Sequence, residues 1–584
     1  MKKKIFTLLI SLAVIGSGHA QLHSAFTVTG GANAGINAGE SGIDVFIGWR
    51  DCQTYMTSAY NWNYLDGLIQ TVQTNLPGVV PFVTMKCTNP ITANDTIPGT
   101  CANNFTYGNN TSDMNSSWFP EDTVKWKLFL DALIERYDGD GTQDMPGLLQ
   151  PITEWRIGGE WTNSWCCPYA NNSDTTLVKI QDYVKYERMT YNEIKSQQVN
   201  SKLSATAIAM PAGDAFYDGY FNQASLCYSN DCIPANQVQL THSMLAASPS
   251  FIANHRNNLY LIRNAKYDQQ DLHLYGSWNH IPEIVKWAKD SSLQNKPIVF
   301  YEGGGPLCRA CEPIYHPVSD TTGILPPQLL RDNASYVVYY YITGIASGVK
   351  HLNWNLTPEY DYWGSTWGDL DLFSINMVPK PSAYTYRFLA KDIFSNANAD
   401  TVIKVAETNP ALYHYQINPM GMDVIWSTNA SITYTITGTG TLYRWDIPTA
   451  CDSVFPTACD SVIQFSSMNV SGSTIISLID GVPVFYSWNN VLTASEYVTP
   501  ANNYLVKIYP NPFSAQTVLQ TDIFLKNATL TIYNSQGQKV KEIKNINGQS
   551  VTLTRNNLAS GLYFVRLTEN SKILAVNKLI ITDK

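Results

Sequence analysis

Lys296-Pro297-Ile298-Val299-Phe300-Tyr301-Glu302-Gly303-Gly304-Gly305 is a short apolar run that stops on a carboxylate and three glycines. A run of this length, bounded by proline and glycine, predicts a strand buried on both faces, the signature of a parallel sheet. In parallel α/β folds the C-terminal ends of the strands carry the working residues, so Glu302 is a candidate functional carboxylate.

Working outward, similar runs recur at Ile43–Gly48, Val79–Met85, Thr153–Gly158, Leu203–Met210, Asp271–Leu274 and Val349–Asn353. Helical spacing lies between them: Leu130, Leu133, Ile134 and Tyr137; Leu177, Ile180, Val184, Tyr191 and Ile194; Phe251–Ala265; a helix opened by Ile281-Pro282; Tyr336–Ile345; and Ala383–Ile393. This alternation predicts a (β/α)8-type barrel over residues 21–396, with Pro81 the awkward residue of its strand. About 20 residues precede Ile43 in the mature chain, too few for a normal βα unit. Either Ala25–Thr29 is a first strand lacking its helix, or the barrel is incomplete.

Of the 584 residues, 44% are hydrophobic and 15% charged, enough to bury large cores and too few charges for a disordered polyelectrolyte. The net charge is −9, while residues 503–584 carry 10 Lys/Arg against 4 Asp/Glu, so the acidity lies in the rest of the chain. That balance argues against nucleic acid and anionic membrane as partners. Beyond residue 20 no apolar run is long enough for a transmembrane helix. Residues 1–20 have the order of a secretory signal: Lys2-Lys3-Lys4, an apolar run from Ile5 to Ile15, then Gly18-His19-Ala20. Eleven cysteines in an exported chain predict local disulfides, with Cys87/Cys101, Cys227/Cys232, Cys308/Cys311 and Cys451/Cys459 the near pairs and one cysteine left over.

Residues 397–495 turn to Thr/Ser/Val-rich alternation, predicting a β-sandwich domain in which TACDSV at 449–454 recurs at 457–462. A polar Asn-rich link leads to residues 503–584, again strands and turns and predicted as a second β-sandwich. This last segment contains YPNPF at 509–513, LTIYNSQGQKV at 530–540, LASGLYFVRL at 558–567 and KLIITDK at the end. It resembles the type A C-terminal sorting domain of the type IX secretion system. The resemblance implies a partnership with that machinery, passage through the periplasm of a Gram-negative bacterium, and release to the medium or the outer-membrane surface.

A second carboxylate, Glu160, ends the run Thr153–Gly158 in the order Trp155-Arg156-Ile157-Gly158-Gly159-Glu160. Two carboxyl groups about 5–5.5 Å apart are what retaining hydrolysis of a glycosidic bond requires, one as nucleophile and one as acid/base. With WRIGGE on strand four and KPIVFYEGGG on strand seven, the chain resembles a clan A glycoside hydrolase, as does ERYDGDGTQDMPG at 135–147. The resemblance implies Glu160 as acid/base, Glu302 as nucleophile, His273 and Tyr275 as supports of the nucleophile, and Trp354 as a sugar platform. Trp161, Asn163 and Trp278 join these as candidate substrate-binding residues. The implied substrate is a neutral poly- or oligosaccharide, with no cofactor. Gly159 departs from the pattern, standing where the clan carries asparagine, which leaves a catalytically inactive glycan-binding surface protein as the alternative. Glu154 is expected to be structural. Asp138, Asp140 and Asp144 have calcium-loop spacing, but Leu149 holds the twelfth position where such loops carry glutamate, so a plain loop and no metal is the favoured reading.

Overall fold

The structure is a computed structural model, and it describes residues 26–29, 40–76, 78–88, 90, 120, 122–158, 177–209, 211–228, 238–305, 327–355, 372, 379–395, 399–428, 431–448, 463–492, 507–534, 539–556, 558–569 and 572–582. Eight strands form one parallel sheet in chain order: β1 (Phe26–Thr29), β2 (Gly42–Gly48), β3 (Val80–Lys86), β4 (Glu154–Ile157), β5 (Lys202–Ser204), β6 (Gln270–Tyr275), β7 (Ile298–Gly304) and β8 (Leu352–Asn355). β1 pairs with both β8 and β2. Parallel bridges Ser204–Gln269 and Ile208–Leu272 join β5 to β6 and close the circle. The short N-terminal segment therefore supplies the eighth strand. Pro81, second in β3, sits near the strand start, where its missing N–H costs least.

Helices at Thr123–Tyr137, Leu177–Gln197, Pro249–Asn264, Ile281–Ser292 and Pro327–Ala346 return the chain between strands. Asp122 caps the first of these by accepting from the amides of Val124 and Lys125. Ser248 does the same for the helix at Pro249–Asn264, whose first residue is proline. Glu187, on the helix Leu177–Gln197, is fully buried and accepts from the Thr206 amide at 2.8 Å. Burial pushes its carboxyl up to about 8.

The region after the barrel was expected as a sandwich; its six strands, β9 to β14 (Ala399–Val405, Leu412–Pro419, Met422–Ser427, Ile432–Asp446, Gln464–Leu478, Val484–Ser487), are hydrogen-bonded into one continuous antiparallel sheet of order β9-β10-β11-β14-β12-β13. Asp446 and Gln464 face each other across the β12–β13 pair, and the TACDSV repeat between them lies outside the described residues. This sheet belongs to the same compact unit as the barrel. Aromatic side chains join the two: Phe388 meets Phe485 at 5.3 Å, and the Tyr339 hydroxyl donates to the Gly481 carbonyl.

A second unit holds five strands, β15 to β19 (Lys507–Tyr509, Gln516–Asn534, Lys539–Thr554, Gly561–Glu569, Lys572–Ile581), in one antiparallel sheet. Its own core includes Leu519, Leu530, Ile532, Leu553, Val565 and Leu579. Among the described residues no helix is long and apolar enough to cross a membrane. Each expected cysteine pair has at least one member outside the described residues, whereas Cys52 is a buried free thiol.

Candidate active site

Strand β6 alternates regularly, so Asp271, His273 and Tyr275 share the face that looks into the barrel. Strand β7 does not. Asp271 pairs with Val299 but His273 with Glu302, so one extra residue is accommodated in β7 between these pairs, a β-bulge. Before the bulge, Val299 and Tyr301 point inward and pack with Phe82. Strict alternation would send Glu302 outward; the bulge turns it inward as well. Its carboxylate accepts from the Tyr275 hydroxyl at 2.7 Å and lies 3.3 Å from His273 Nδ1. The Glu302 side chain is 33% exposed, so a solute can reach it.

The next residue follows from the same turn of register. Gly303 faces outward, and a Cβ there would lie 2.8 Å from the Leu274 carbonyl oxygen and collide with the Tyr340 hydroxyl of the helix Pro327–Ala346. Gly303→Ala is therefore expected to push β7 off that helix. Overpacking of this kind costs about 1–3 kcal/mol, and the displaced Glu302 should lose activity on the order of 10²-fold. Thermal unfolding and a hydrolysis assay of the one variant check both.

Beneath Glu302 lies a buried charge network that sequence reasoning missed. Arg156 on β4 is 1% exposed, ion-pairs with Asp44 of β2 at 3.2 Å and with Asp271 of β6 at 2.8 Å, and contacts His273 Nε2. Thr84 on β3 donates to Asp44 at 2.6 Å, and the Tyr301 amide donates to Asp271 at 3.0 Å. Burial pushes the Asp44 carboxyl up to about 6, with Arg156 opposing. Burial also acts upward on Asp271, but the Arg156 guanidinium foremost opposes it, and the group stays below the usual carboxylate range. The available signal was a charged residue inside a strand, third in both GIDVFIG (Asp44) and EWRI (Arg156), since a buried charge must be paired.

Glu154, at the start of β4, sits at the opposite end of the barrel with Lys202 at 3.0 Å and His351 at 3.5 Å. Burial pushes its carboxyl up, and the opposing influence of His351 and Lys202 more than offsets it, leaving the group below its ordinary range.

Trp354 is not in the mouth. Leu352 and Trp354 share the face of β8 that meets the helix Pro327–Ala346, where the Trp354 ring lies 5.8 Å from Tyr340 and 6.3 Å from Tyr336, fully buried. The sugar-platform expectation is corrected accordingly. Trp278 also fills packing space, 4.4 Å from Tyr339, 4.8 Å from Tyr413 and 5.7 Å from Trp426, at the seam between barrel and sheet. A large ring satisfies either role, and here strand alternation and the neighbouring sheet claim both. Gly159, Glu160, Trp161 and Asn163 lie outside the described residues. Asp138, Asp140 and Asp144 bring carboxylate oxygens within 4.8 Å of one another, and each accepts from backbone amides of its own loop.

In overall structure the chain is similar to a family 39 glycoside hydrolase from the gut symbiont Bacteroides cellulosilyticus WH2, with 11% identity, TM-score 0.47, and coverage of 81% of this chain and 82% of that one. It is also similar to a monomeric beta-xylosidase from Caulobacter crescentus CB15 (13% identity, TM-score 0.47, 79% and 95% covered). A Paenibacillus polymyxa xyloglucanase from glycoside hydrolase family 44 is a further neighbour (10% identity, TM-score 0.42, 79% and 96% covered). No curated protein matches the chain. Residues 507–582 match the secretion system C-terminal sorting domain family, and the chain therefore ends in a type IX sorting tail.

Proposed function

We propose that the barrel is an exported retaining glycosidase acting on a neutral poly- or oligosaccharide. The observation that carries this reading is Glu302, turned into the barrel mouth by a bulge and held by Tyr275 and His273. Glu302 attacks the anomeric carbon, forming a glycosyl ester, while Glu160 gives its proton to the leaving oxygen. Glu160 then takes a proton from water, which attacks the same carbon and releases Glu302. The sorting tail accounts for export to the surface or the medium.

The rival reading, a glycan-binding protein without turnover, is favoured by one feature, Gly159 in place of the clan's asparagine. Asparagine there would supply a transition-state hydrogen bond, which contributes about 2–4 kcal/mol. Gly159→Asn is expected to raise kcat in an active site limited by that missing amide, and to weaken glycan binding without creating turnover in a binding protein. Hydrolysis assays and calorimetry on a panel of neutral polysaccharides separate the two. Turnover that depends on both Glu160 and Glu302, with retained anomeric configuration by proton NMR, supports the enzyme. Glycan binding with no turnover in either protein overturns it.

A further inference from the structure

His273 sits between two very different groups. Its Nδ1 faces Glu302 Oε2 at 3.3 Å, and its Nε2 faces the guanidinium of Arg156. The ring is 2% exposed, so water does not compete for either nitrogen. A guanidinium only donates, and it does not lose its proton in proteins. The nitrogen that it meets must therefore present a lone pair. The single imidazole proton is then left to Nδ1, where it points at the carboxylate.

Two further contacts keep Arg156 in that position. Asp44 and Asp271, on strands either side of the barrel interior, hold it at 3.2 and 2.8 Å. Thr84 fixes Asp44, and the Tyr301 amide fixes Asp271. The Tyr301 ring lies beneath the guanidinium, 5.8 Å from ring centre to Cζ. Asp271 Oδ2 also stands 3.5 Å from His273 Nε2 and is the acceptor that a proton on Nε2 would use if Arg156 were absent. Arg156 (β4), Asp271 (β6) and Glu302 (β7) thus face His273, Asp44 (β2) and Tyr301 (β7) face Arg156, and Tyr275 (β6) faces Glu302.

We propose that Arg156 is a positioning residue for Glu302: by donating to Nε2 it locks His273 as the neutral Nδ1–H tautomer, so that the imidazole delivers a hydrogen bond to the carboxylate. With the Tyr275 hydroxyl on the other oxygen, Glu302 receives one donor on each oxygen and is presented as an oriented anion. That this anion attacks a sugar rests on the proposed function; the tautomer lock does not.

The direct test is long-range proton–nitrogen NMR of the full chain labelled with ¹⁵N-histidine, the His273 signals being identified by their loss in His273→Gln. The expected result is a protonated Nδ1 and an unprotonated Nε2, unchanged between about pH 5.5 and 8. An imidazolium or an Nε2–H tautomer at pH 7 overturns the proposal. Arg156→Lys keeps the charge but cannot reach Asp44, Asp271 and His273 together. In that variant His273 should titrate inside the same pH range. On a polysaccharide that the wild type hydrolyses, kcat should fall by roughly 10²-fold with little change in KM, and the acid limb of the pH profile should move. A folded Arg156→Lys whose His273 stays locked and whose pH profile is unchanged also overturns it. If the variant does not fold, the wild-type tautomer still decides. Failure of the proposed function reads differently, since the chain would then hydrolyse nothing while His273 showed the locked tautomer.

Discussion

Glu302→Gln is expected to lower hydrolysis by on the order of 10⁴-fold or more, because a nucleophile that forms the covalent intermediate has no stand-in within the site. The fold should survive, since amide and carboxylate have nearly the same shape. The two oxygens of Glu302 meet two donors, Tyr275 Oη and His273 Nδ1. The amide keeps its oxygen for His273 Nδ1 and turns its NH2 to Tyr275 Oη, a hydroxyl that also accepts, so stability should change by no more than about 1 kcal/mol. Hydrolysis assays paired with urea unfolding check both halves. Activity near the wild-type rate would remove Glu302 from the nucleophile's role.

Glu187→Gln should change stability most, and increasingly as pH rises from about 4 to about 8. Burial raises the folded-state pKa of Glu187 to about 8, against an ordinary glutamate value of about 4.3 in the unfolded chain. Below the lower value both states carry the proton, and the group contributes nothing to pH dependence. Between the two values the unfolded chain ionises while the folded one keeps its proton, so stability falls as pH rises. Above about 8 the full penalty is present, up to about 5 kcal/mol from the size of the shift. Glutamine keeps the acceptor for the Thr206 amide and cannot ionise. The difference in unfolding free energy between variant and wild type should therefore move in the variant's favour by several kcal/mol from pH 4 to pH 9. Urea titrations at the two pH values measure it, and parallel curves would contradict the assignment.

Much of the barrel could be read from periodicity, because buried parallel strands and amphipathic helices leave separate signatures. β1 was readable only as a choice, since four residues without a following helix carry little pattern. Glu302 was readable from its place at a strand end. Its orientation was not, because alternation places consecutive side chains on opposite faces and a bulge leaves no compositional mark. Trp354 failed for the converse reason: strict alternation holds in β8, and it aims this ring at a helix. Arg156 escaped notice because a charge inside a strand becomes meaningful only when Asp44 and Asp271, 112 residues upstream and 115 downstream, are seen around it.

The bulge in β7 also sets the kind of genetic lesion that this site would feel most. A substitution at Phe300, which is fully buried and 6.2 Å from Tyr340, disturbs packing and leaves the register unchanged. Loss of one codon, Phe300 or Tyr301, would remove the extra residue and leave Glu302 two positions after Val299, still facing inward; loss of both would place Glu302 directly after Val299, swing the carboxylate toward the helical ring and bring a glycine to the mouth. In a lineage of such barrels, two-codon deletions here would therefore act as abrupt silencers of chemistry, whereas single-codon deletions would keep the carboxylate in place.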